Sequence, residues 1–153
     1  MKKVFLLFLF SILIISCNEK NQNSIDDIWD NFSFNSILTD SNQIVIKAYD
    51  SRLTNKRVNV ESYIATKEFK TTTKQQVQDI ETIFENATKT GYCCCPKSSS
   101  SIHFYNQKEE LDYFYVDTLE FKNKIRFCEK SYQYSYIIEK QKWKDYIKEI
   151  SKK

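Results

Sequence analysis

The sequence predicts an α+β domain built on a mainly antiparallel sheet. Three observations lead there. Apolar residues recur at helical spacing near the start, in the middle and at the end of the chain; between these stretches lie short runs whose apolar residues alternate with period two; and the strand-like runs cluster instead of alternating one by one with helices. The composition suits one such domain: 153 residues, 41% hydrophobic and 28% charged, ordinary proportions for a globular chain.

Ser24 followed by Asp27 resembles a helix cap, and Ile25, Ile28, Trp29 and Phe32 share one helical face, which predicts a helix over 25–33. Ile44, Ile46 and Ala48 alternate with Val45, Lys47 and Tyr49, and Val58, Val60 and Ile64 alternate with Asn59 and Glu61. These are two strands joined by a loop. Thr73 with Gln76 three residues on makes a capping box, after which Val77, Ile80, Ile83, Phe84 and Ala87 trace an apolar stripe to about Lys89, and Gly91 suits the helix exit. From Ser101 the period falls to two through Ile102 and Phe104, Phe114 and Val116, Ile125 and Phe127, then Tyr132, Tyr134 and Tyr136, predicting a four-stranded meander with a polar hairpin loop at 107–110. Trp143, Tyr146, Ile147 and Ile150 close the chain on a third helix. The expected architecture is two strands plus the meander, packed with three helices in two layers, over residues 25–153.

The first residues carry an address. Met1-Lys2-Lys3 is positively charged, and Val4 to Ile15 is a run of 12 residues broken only by Ser11, followed by polar residues 18–23. A spanning helix needs about 20 apolar residues, so a secretory signal over 1–16 is expected. Ile14-Ile15-Ser16-Cys17 resembles the lipobox of bacterial lipoproteins, and the leader is similar to those of small lipoproteins in the Bacteroidota. The resemblance implies that Cys17 is lipidated and becomes the mature N-terminus, with 17–24 a polar tether. Several acyl chains on one cysteine anchor a protein durably where one would be marginal. Asn18 in place of Asp implies export onward to the outer membrane.

The composition also excludes functions. A single Gly91 and a single Pro96 leave no glycine-rich loop to cradle phosphates. Loss of Lys2 and Lys3 takes the 23 basic residues to 21 against 20 acidic ones, so no basic field remains for nucleic acid. His103 is the only histidine; a Ser-His-acid or Cys-His machine would have to assemble around it, and its sequence neighbours suggest none. A structural strand histidine is the expectation, with no catalytic residue and no cofactor.

Two features remain. Tyr105, Tyr113 and Tyr115 fall on one parity of the predicted hairpin, and Tyr132, Tyr134 and Tyr136 repeat the habit. Tyrosine combines apolar area with a polar tip at low rotamer entropy, so these six form a candidate binding face for another protein, a peptide or a sugar. The segment Tyr92-Cys93-Cys94-Cys95-Pro96 and Cys128 hold every cysteine besides Cys17. An exported protein meets oxidising conditions, so Cys128 is expected to pair with one of Cys93, Cys94 and Cys95. A metal site of Cys93, Cys94, Cys95 and His103, or a thiol-redox role for the triplet, is the alternative. The reading as a whole is a non-enzymatic, outer-membrane-tethered binding module of inhibitor or immunity type.

Overall fold

The structure, a computed structural model, describes residues 34–50, 64–93 and 96–152. Contacts divide the chain into two compact units, 1–36 and 37–153. The leader, Cys17, the tether, the helix expected over 25–33, residues 58–63 of the strand expected over 58–64 and two of the triplet cysteines, Cys94 and Cys95, lie outside the described residues; Ile64, the last apolar residue expected in that strand, is described, belongs to no strand and is exposed.

Helical residues 34–40 (α1) precede β1 (Gln43–Ala48), β2 (Lys67–Lys70), α2 (Lys74–Phe84), β3 (Thr88–Thr90), β4 (Ser98–Asn106), β5 (Glu109–Asp117), β6 (Lys124–Glu129), β7 (Ser135–Glu139) and α3 (Lys140–Ile150). The strands form one sheet in the order β2-β1-β4-β5-β6-β7-β3, and every neighbouring pair is antiparallel. The fold is α+β with an antiparallel sheet. Among the described residues it has seven strands, five of them expected; the two edges, β2 (KEFK) and β3 (TKT), are too short and too polar to show a period. Short charged edges also discourage pairing with a foreign strand.

Thr73 caps α2 by accepting from the Gln76 N–H at 3.2 Å, and Gln76 Oε1 reaches back to the Thr72 N–H at 2.8 Å. The capping box is therefore present, displaced by one residue on its return arm. The helix stops at Phe84, earlier than the apolar stripe suggests. Asn86 takes the left-handed conformation (φ 63°) in place of the expected exit at Gly91, and asparagine tolerates that region better than most residues.

Both helices pack on the same sheet face. Val77, Ile80 and Ile83 of α2 and Trp143, Tyr146 and Ile150 of α3 are buried. The Phe84 ring meets Phe127 at 5.0 Å and Tyr136 at 5.8 Å, and Trp143 meets Phe127 at 5.1 Å. The sheet answers with Ile44, Ile46, Ile102, Phe104, Phe114, Val116, Ile125 and Phe127, all essentially inaccessible. Each such side chain stabilises the fold by roughly 1.5–3 kcal/mol on burial. Among the described residues no helix is long and apolar enough to cross a membrane.

Candidate functional site

Strand alternation sends the other half of the sheet's side chains to the face away from α2 and α3. The register places Ser101 opposite Tyr115, His103 opposite Tyr113, Tyr115 opposite Cys128, and Cys128 opposite Ser135. This second face is polar and aromatic. Its centre is nevertheless buried, with Ser101, His103, Tyr115, Cys128 and Ser135 each at 2% exposure or less.

Burial obliges these polar groups to pair. Tyr49 Oη lies 2.9 Å from Ser101 Oγ, Ser101 Oγ lies 2.7 Å from His103 Nε2, and His103 Nδ1 lies 2.5 Å from Glu110 Oε1. One arrangement satisfies the whole chain: the Tyr49 hydroxyl donates to Ser101, Ser101 donates to Nε2, and Nδ1–H donates to the Glu110 carboxylate. The spacing is that of a serine-histidine-acid relay, and it makes His103 a structurally bonded strand histidine. Among the described residues it has neither an exposed nucleophile nor an oxyanion site. Ser101 has no exposed surface, and it sits in β4 between β1 and β5, where the ladder takes its peptide groups and leaves no N–H pair for an oxyanion.

Around the relay the rings form a ladder. His103 stacks on Tyr113 at 5.4 Å and on Tyr105 at 6.5 Å, Tyr113 meets Tyr115 edge-on at 5.5 Å, and Tyr115 stacks on Tyr132 at 5.4 Å. Tyr105, Tyr113 and Tyr132 are partly exposed, whereas Tyr115 is buried. Tyr132 enters from the β6–β7 turn with φ 63°, its N–H bonded to Glu129 O at 2.8 Å. The six expected tyrosines therefore do not share a face. Tyr134 and Tyr136 are buried on the helix side, where Tyr136 meets Phe84, because the turn breaks the alternation between Tyr132 and β7.

Beyond Tyr132 the face becomes a thiol and guanidinium cluster. Arg126 grips Glu120 through Nε at 2.7 Å and Nη2 at 2.8 Å, and its Nη1 donates to Ser135 Oγ at 2.8 Å and Thr90 Oγ1 at 2.9 Å. Cys93 and Cys128 pack with Tyr49, Tyr115 and Tyr132. Both are free thiols. The expected bond to Cys128 is thus not formed, but Cys93 of the triplet stands beside it. Hydrogen bonding toward Cys128, with Arg126 and Ser135 nearby, holds the Cys93 thiol below its ordinary pKa against the opposing effect of burial. The same interaction, burial and the neighbouring Cys93 push the Cys128 thiol up.

Of the alternative metal set only Cys93 and His103 lie among the described residues. Both ring nitrogens of His103 are engaged by Ser101 and Glu110, and among the described residues no three His, Cys, Asp or Glu side chains are grouped to hold a metal ion. Ser101, Glu110, Tyr49 and Arg126 escaped the sequence reading. Only the Ser-x-His spacing on a strand signals any of them, since it places two side chains on one face. No protein-family model, curated protein or solved structure matches this chain.

Proposed function

We propose that the chain is an outer-membrane-tethered lipoprotein, anchored through Cys17, that captures another protein as an inhibitor or immunity-type module and performs no chemistry on it. The observation that carries the reading is the aromatic ladder. Three partly exposed tyrosines, Tyr105, Tyr113 and Tyr132, are buttressed by buried rings, and the central histidine is held at both nitrogens. Rings already locked in place lose little freedom when a partner arrives, so more of the contact energy becomes affinity. The relay supports the platform rather than a reaction, since its serine is inaccessible.

Affinity capture from envelope extracts with the full chain, followed by mass spectrometry, tests this. Tyr105→Ala, Tyr113→Ala and Tyr132→Ala are each expected to weaken recovery of the same partner by about 1–2 kcal/mol, while Lys144→Ala on the exposed side of α3 leaves it unchanged. Equal recovery by the tyrosine variants, with their folding intact, would overturn the proposal.

A further inference from the structure

We propose that Cys93 and Cys128 form a thiol–disulfide exchange pair in which Cys93 meets an incoming disulfide and Cys128 resolves it. The proposal goes beyond partner capture and does not depend on it. Two buried side chains of the same reactive type belong to one packed cluster on this sheet face, 35 positions apart in the chain, and they are unequal in access. Cys128 lies within β6, flanked by Tyr115 of β5 and Ser135 of β7, with no exposed surface. Cys93 sits in the loop after β3, next to Tyr92, which is 69% exposed, and retains a small accessible area of its own. Its N–H is tied to Tyr132 O at 3.1 Å, which holds the loop against the β6–β7 turn and keeps Cys93 in the cluster with Cys128.

The surroundings divide the roles further. Arg126 and Ser135 line the same face, and with the Cys128 thiol as donor they favour the thiolate at Cys93. Burial and the negative charge at Cys93 keep Cys128 protonated. A thiolate beside a cation and a hydrogen-bond donor is the form that attacks sulfur. In the first step the Cys93 thiolate attacks one sulfur of an external disulfide; a mixed disulfide forms on Cys93, and the other half leaves as a thiolate that takes up a proton. The charge on Cys93 has then gone, so Cys128 loses the neighbour that held its proton. Once deprotonated it attacks the Cys93 sulfur, expels the second half as thiolate and closes the Cys93–Cys128 bond. The protein gives up two electrons and two protons, and one disulfide becomes two thiols.

Oxidised glutathione is the probe, applied to the full chain purified in detergent, reduced and freed of reductant. Tandem mass spectrometry after acid quenching reads each cysteine. In Cys128→Ser the glutathione adduct is expected to accumulate on Cys93, and in Cys93→Ser the adduct on Cys128 is expected at least about tenfold more slowly. The unsubstituted chain is expected to end with Cys93 bonded to Cys128 and two reduced glutathiones released per oxidised molecule consumed. Timed alkylation of that same chain needs no variant and is expected to label Cys93 well before Cys128. Equal rates at the two thiols, a Cys93 inert to glutathione, or a final bond from Cys128 to Cys94 or Cys95 would each overturn the proposal. Partner capture scored on the same preparations separates this outcome from failure of the binding reading.

Discussion

His103 shows how one buried side chain can hold a surface in place. It is 1% exposed and contacts Ser101, Glu110, Tyr105 and Tyr113 at once, so its removal orphans a buried hydroxyl and loosens two rings. His103→Ala is expected to cost about 2–4 kcal/mol, because an unpaired buried polar group pays its full desolvation. Glu110→Gln keeps an acceptor for Nδ1–H at a position that is 38% exposed, and is expected to cost about 1 kcal/mol. Urea unfolding followed by fluorescence ranks the two; a larger loss for Glu110→Gln would show that the relay is not what holds the ladder.

The β4–β5 hairpin illustrates what an element decides. Its register shifts between Phe104 and Tyr105, so Phe104 faces Asp112 while Tyr105 faces Glu110. That one-residue bulge brings Glu110 to the side of His103; an unbroken alternation from Tyr113 would send it to the helix side. The helices are joined in a comparably specific way. Tyr146 of α3 donates to Gln76 O of α2 at 3.0 Å, and burial, with Asp79 adding to it, raises its phenol pKa. The sign follows from linkage. Below about pH 10 the phenol is neutral in both states; above it the unfolded chain ionises while the folded one resists, so stability falls as pH rises. Tyr146→Phe is expected to cost about 1 kcal/mol at pH 7 through the lost hydrogen bond and to flatten the decline between pH 9.5 and 11. Part of the slope remains, because burial and Tyr115 raise Tyr132 in the same direction. Urea midpoints across that range check it, and an unchanged slope would count against Tyr146 as its source.

At the scale of the molecule the sheet is a partition. One face is a phenylalanine and isoleucine core under α2 and α3, and the other carries tyrosines, the histidine relay, Arg126 and two thiols. Stability can reside in the first while the proposed recognition and thiol exchange would use the second. The proposed delivery to a membrane is also tested on the whole chain. Cys17→Ser is expected to abolish incorporation of a labelled fatty acid and move the protein from the membrane pellet to the soluble or uncleaved fraction. Undiminished label in that variant would remove the lipoprotein reading while leaving the fold untouched.

The sequence by itself determined what repeats locally. The capping box at Thr73 and Gln76, the stripe of α2, the aromatic parity of β4 and β5 and the final helix are all patterns within a few residues, and each appears in the structure. Its reading went astray where a single residue resets the pattern: at Asn86, where a left-handed residue ends α2 early; at Tyr132, where a turn separates one tyrosine from Tyr134 and Tyr136; and at the bulge near Glu110. Only the tertiary structure decided that Cys93 meets Cys128, that Glu110 meets His103 and that Tyr49 meets Ser101. Those contacts depend on which strands become neighbours, and strand order is set by burying two helices on one side of the sheet, a long-range condition that no local spacing records.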